Sequence, residues 1–255
     1  MGSAFSGDHR ELPVARTTVG LCFEYARDAR FESPSLSDCG LERVLAVLYR
    51  FRVRATFDCA AKLCEVVPDQ IHMIAEHGHE IGAYGYADEV IREQSDDDLK
   101  ATLYRCRAAF AHLRLQPIGY RSRRHECDPR LYPELVLHRF LYNSEHDHAH
   151  HPYVMIEGNP ALARVPVCTD DLGFVRHPER VNRVVSKHHR YLRKALAREH
   201  FVSIAFHPWV LAEDPQRMAD FEEWLDTACR SGAKIGTLAD ALPARYRTAS
   251  PAESE

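Results

Sequence analysis

The feature that most constrains this chain is an alternation, kept up across most of its 255 residues, between short β-branched or apolar runs and longer stretches with apolar residues at helical spacing. Residues 17–23 (TTVGLCF) form one such run, 41–51 are amphipathic, and 53–57 (VRATF) return to the first pattern, which reads as strand, helix, strand. The series continues with a helix over 68–77, a short strand at 80–83 and a long helix over 95–113, where Ser95 is a good cap ahead of Asp96, Asp97 and Asp98. Further strands are expected at 118–120, 141–143, 163–168, 202–206 and 234–237, and further helices at 181–199 and 217–231. Short strands separated by helices need crossover connections, so the expected class is α/β, a parallel sheet or barrel with helices outside.

Composition sets the outer limits. A chain with 45% hydrophobic and 27% charged residues and a net charge of -4 reads as an ordinary soluble globular protein with no global attraction to nucleic acid or anionic membranes. One domain over 14–243 is expected, between a flexible N-terminal segment 1–13 and a flexible tail 244–255. Residues 1–16 hold no apolar run that would serve as a signal peptide, and no later stretch approaches a membrane span, so a cytoplasmic setting is expected. The eight cysteines form no C-x-x-C pair, so neither a zinc ribbon nor a thioredoxin-like site is signalled. A small-molecule substrate is the expected partner, and the oligomeric state stays open.

In α/β barrels the reactive groups gather where strands end. Those positions read Glu24-Tyr25-Ala26, Asp58-Cys59, Tyr84-Gly85-Tyr86-Ala87-Asp88, Arg121-Ser122-Arg123-Arg124 and His207-Pro208-Trp209. Carboxylates, an arginine and a histidine converging on one rim make a hydrolytic site. The densest metal-capable patch is residues 145–151, with His146, Asp147, His148, His150 and His151, and the simpler reading of it is a flexible polar loop with adventitious metal affinity. The four cations between Arg121 and His125 suit an anionic substrate group or a solvated loop.

These blocks resemble the NodB-type polysaccharide deacetylases, carbohydrate esterase family four. That family's blocks read T-F-D-D-G, A-T-F-F, G-H-E-I-G-N-H-T-x-x-H, R-x-P-Y and a late strand ending in His; Ala55-Thr56-Phe57 and Gly78-His79-Glu80-Ile81-Gly82 carry the likeness best. The resemblance spans residues 14–242 and implies a distorted (β/α) barrel. It puts Glu24 at the base position, Arg121 at the clamp on that carboxylate and His207 at the general acid. Its three metal positions read Tyr25, Tyr84 and Asp88, so the implied zinc-like divalent metal has lost its standard Asp-His-His ligands, and Asp88, His207, His146 and His148 are the candidates for a rebuilt set. Tyr25, Asp58, Tyr84, Arg123 and Trp209 are candidate substrate contacts. His207-Pro208-Trp209 is similar to the branch that includes metal-independent, allantoinase-type hydrolases. The resemblance implies a hydrolase of a non-peptide C-N bond, deacetylase-like on an N-acylated small molecule or amino sugar. A catalytically silent homologue acting as a binding module, and a barrel running a non-hydrolytic proton transfer, remain the alternatives.

Overall fold

Strands buried on both faces explain why this sequence builds a helix-covered sheet. The computed structural model describes residues 10–13, 19–26, 34–125, 127–147, 149–198 and 201–247. Its strands are β1 (Val19–Tyr25), β2 (Thr56–Cys59), β3 (Glu80–Tyr84), β4 (Gly119–Arg121), β5 (Tyr142–Asn143), β6 (Tyr153–Ile156), β7 (Leu162–Arg164), β8 (Thr169–Asp170), β9 (Val202–Phe206) and β10 (Ile235–Gly236). Every residue of β1, β2 and β9 is buried, the pattern of a parallel sheet covered on both sides. The helices are α1 (Pro34–Phe51), α2 (Leu63–Val66), α3 (Pro68–Glu76), α4 (Asp96–His112), α5 (Leu131–Leu137), α6 (Gly173–Arg176), α7 (Val181–Arg198), α8 (Pro208–Glu213) and α9 (Pro215–Arg230). Among the described residues no helix is long and apolar enough to cross a membrane.

The strands run in the order β6-β7-β5-β4-β3-β2-β1-β9-β8, with β10 also on β1, and every pairing is parallel except β6 with β7. The sheet curls into a distorted barrel because the stretch from Leu162 to Asp170 serves two neighbours. Its first half pairs with β5, Val165 N and Val167 N donate to the Asn143 and Glu145 carbonyls, and its second half pairs with β9. The expected strand 163–168 is therefore two short pairings joined by an extended link.

Alternation along each strand separates two interiors. Phe23 on β1 stacks on Phe57 at 4.9 Å and meets Phe221 of α9 edge-on, in the apolar layer between sheet and helices. Cys22 and Glu24 take the opposite face, inside the curl. There Thr56 Oγ1 and Tyr142 Oη donate to the two oxygens of Glu80, plugging the barrel floor. Gly82 leaves room for Asp58, whose Oδ1 would sit 2.3 Å from any Cβ at that position.

Among the named strands and α-helices, β6, α2, α5, α6 and α8 were not anticipated. In α5 the apolar run is short and Pro133 falls in the first turn, where its missing N-H leaves no intrahelical bond unmade. Both ends of the expected domain extend. Leu12 is buried and donates from its N-H to the Pro152 carbonyl, and Tyr246 is buried and receives a 2.6 Å hydrogen bond from Arg10.

Candidate active site

One buried line of charge crosses the C-terminal rim. Glu24 closes β1 and is 2% exposed. Its Oε1 accepts from Arg121 Nη1 at 2.8 Å, and its Oε2 accepts from the Tyr84 hydroxyl and lies 3.0 Å from His207 Nε2. On the far side of His207, Asp171 accepts hydrogen bonds from Nδ1-H at 2.6 Å and from the backbone N-H at 3.0 Å. Arg121, wholly enclosed, also donates through Nε to the Ser144 carbonyl at 2.6 Å, while Nη2 is 3.1 Å from Asp58.

Electrostatics fix the charge states. Burial opposes the imidazolium of His207, but Asp171 and Glu24 outweigh it and hold its pKa well above the ordinary value. Burial likewise works to raise Glu24, and His125, His207 and Arg121 together hold it well below the usual carboxylate range. At neutral pH this is an ionised carboxylate against a protonated imidazole. Asp58 is pushed up to about 7 by burial, with Arg121 working against that shift. Burial pushes the Tyr84 phenol well up, so it stays a neutral donor to Glu24.

Of the residues the sequence singled out, Glu24, Asp58, Tyr84, Arg121 and His207 come together here. Arg123 lies over the Tyr84 ring at 4.5 Å, at the edge of the group. Trp209 is buried with Phe174, Val184 and Val210, its ring 6.3 Å from that of His207, so it packs beside that histidine rather than offering a free face. Tyr25 is a correction: strand alternation turns it outward, and its hydroxyl donates to Asp38 of α1 and Gln70 of α3 in the helix layer. Asp88 is exposed, 3.7 Å from Arg124. His148 lies outside the described residues.

Tyr25, Tyr84 and Asp88, where the resemblance implies a metal, therefore form no ligand set: one faces the helices, one is committed to Glu24 and one is at the surface. Nor is His207 free to ligate, since both ring nitrogens are engaged. His146 has a different neighbour. Glu24, His125 and His146 each bring a ligand atom within 4.8 Å of the others. Burial pushes His125 down to about 4 and lowers His146 as well.

Sequence reasoning missed Asp171 and the place of His125 beside Glu24 and His146. Asp171 follows strand residues 169–170, so extending the expected strand 163–168 by two residues would have put it on the rim. His125 was read only as one of a run of cations, because its neighbours Arg123 and Arg124 dominate that stretch.

The family model for polysaccharide deacetylase matches residues 12–123. No curated protein matches the chain. Among solved structures, a Mycobacterium smegmatis protein assigned to the polysaccharide deacetylases superposes with a TM-score of 0.74 at 23% identity, over 89% of this chain and 91% of that one. Puue allantoinase gives 0.73 at 18% identity, over 87% of both chains. A CE4 family pseudoenzyme from Bacillus anthracis gives 0.62 at 14% identity, over 89% of this chain and 66% of that one. At these identities the likeness speaks for the fold.

Proposed function

Taking as premise that the chain is of the polysaccharide deacetylase type, matched in family over residues 12–123 and in fold over most of its length, we propose that it hydrolyses a non-peptide C-N bond. The substrate class is an N-acylated small molecule or amino sugar. The observation that carries this reading is the buried line Asp171, His207, Glu24, Arg121 along the rim.

Glu24, ionised and oriented by Arg121 and Tyr84, takes a proton from the water whose oxygen attacks the carbonyl carbon. His207, kept protonated by Asp171, gives its proton to the amide nitrogen as the C-N bond breaks, releasing carboxylic acid and amine. Glu24 Oε2 and His207 Nε2 are 3.0 Å apart, so the proton gained by the base returns to the acid and the cycle closes without net change in the protein. His207-Pro208-Trp209 and the fold shared with Puue allantoinase favour compact C-N substrates over long polymers.

The test is acetate and amine release from N-acetylated amino sugars and small N-acyl amides. Glu24→Gln and His207→Ala should each lower turnover by about 10²-fold or more with the fold retained. Wild-type rates in both variants would overturn the reading. One observation favours a second reading, a silent binding module: both oxygens of Glu24 are already engaged by Arg121, Tyr84 and His207. A folded wild-type protein that turns over no member of that panel would support it.

A further inference from the structure

We propose that Glu24, His125 and His146 bind one divalent cation of the zinc class, at a position displaced from the one the family resemblance implies. Two imidazoles and a carboxylate are a donor set used by catalytic zinc and other borderline-metal sites. His125 Nε2 lies 3.5 Å from Glu24 Oε1. That is about the separation of two atoms sharing a tetrahedral ion with bonds of about 2.1 Å. The His125 and His146 rings meet edge to face with centroids 4.1 Å apart. The three ligand atoms lie within 4.8 Å of one another, so closing the set asks for a shift on the order of 1 Å.

His125 Nδ1, the ring nitrogen turned toward Glu145 rather than Glu24, and His146 Nε2, turned toward Asp170, are enclosed with no hydrogen-bond partner. A carboxylate stands beside each ring: Glu145 Oε2 is 3.7 Å from His125 Nδ1, and Asp170 Oδ2 is 3.5 Å from His146 Nε2. Carboxylates in that relation fix the tautomer of a ligating histidine and raise its basicity. Glu145 is itself anchored, its Oε1 accepting from Ser122 N at 2.7 Å and from Asn143 Nδ2 at 3.2 Å. Glu24 Oε1, which accepts from Arg121 Nη1 at 2.8 Å, has a second lone pair to offer the ion, and Oε2 stays with His207 and Tyr84. Three protein ligands leave one place in a tetrahedral shell for water or a carbonyl oxygen.

The site shares Glu24 with the hydrolase reading, but an ion binds there whether or not a substrate is turned over. The test is therefore binding without substrate. Full-length, untagged protein is stripped with a chelator and titrated with Zn²⁺ against a chromophoric competitor, and in parallel with Co²⁺ while its visible spectrum is read. One ion per chain is expected, with the Co²⁺ bands of a tetrahedral nitrogen-oxygen set. His125→Ala and His146→Ala should each weaken Zn²⁺ binding about 100-fold or more. His151→Ala, in the same loop but paired with Glu11, should bind like wild type. Zn²⁺ should also raise the unfolding temperature of the wild-type protein, a readout that needs no variant to fold. Substoichiometric binding, unchanged affinity in both histidine variants, or loss in His151→Ala instead would overturn the proposal. A stripped protein that binds no ion yet hydrolyses amides would sink the metal site and leave the hydrolase reading intact.

Discussion

Glu24 shows how the surroundings of a single side chain set its charge state. Alone at a strand end it would be a solvated carboxylate; here a guanidinium, a phenol and an imidazolium hold it ionised in a space from which water is nearly excluded. Asp171 does the same for His207 from the opposite side, accepting from both its ring and its backbone. Asp171→Asn removes the charge while keeping the shape, and an amide there can present its N-H₂ to Nδ1 and favour the wrong tautomer. We expect kcat to fall by roughly 10²–10⁴-fold, KM to stay close to wild type and the unfolding temperature to change little. A proportional rise in KM, or loss of folded protein, would show that Asp171 positions substrate or merely supports the fold. At this scale the sequence was legible where a polar residue stood at or just past a strand end: Glu24, Asp58, Arg121 and His207, singled out on that ground, come together. It was not legible for Tyr25, because one step along a strand turns a side chain from the rim into the helix layer.

At the scale of elements, long amphipathic segments with caps could be read and short ones could not. The long helix expected over 95–113 is α4, and Ser95 caps it, its Oγ accepting from Asp98 N at 3.2 Å with three acidic residues in the first turn. The strand at 202–206 is β9 with the expected bounds. By contrast α5 and α6 span seven and four residues, too few for a helical period to stand out from a loop. The antiparallel β6 owes its existence to its partners β7 and residues 10–12, information that lies outside its own sequence. Ser95→Ala should lower stability by about 1 kcal/mol, since it leaves N-H groups of the first turn uncapped. For a chain of this size that is about 2–4 °C in unfolding temperature. Activity should be unchanged, because the cap is on the outer helix layer. A cost below a few tenths of a kcal/mol in urea unfolding would mean that the acidic first turn alone secures the helix start.

Across the whole molecule, the curl of the sheet is what turns dispersed residues into a site: Glu24 and His207 are 183 positions apart in sequence and 3.0 Å apart in space. The alternation of strands and helices announced the barrel, but which side chains would meet across it depended on register, which periodicity does not supply. The same enclosure gives stability a pH dependence. His188 of α7 is 4% exposed, packs against the rings of Phe174 and Phe206, and its Nε2-H donates to the Asp170 carbonyl at 3.1 Å. Burial pushes its pKa down to about 4, with Lys187 and His189 adding to that and Asp170 opposing it. A histidine depressed in the folded state binds its proton more readily when unfolded, so its stabilising contribution is full above about 6.5 and is lost as pH falls toward 4. The loss is on the order of 3 kcal/mol across that window. Burial shifts Asp58 upward instead, so its contribution runs the other way and the wild-type profile alone mixes the two. The difference between wild type and His188→Gln isolates the histidine, because Gln still donates to the Asp170 carbonyl without titrating. Urea unfolding from pH 4 to 8 should show the wild-type advantage shrinking steadily below about 6.5 and constant above it. A gap independent of pH would mean that His188 reaches solvent and is protonated in the folded protein.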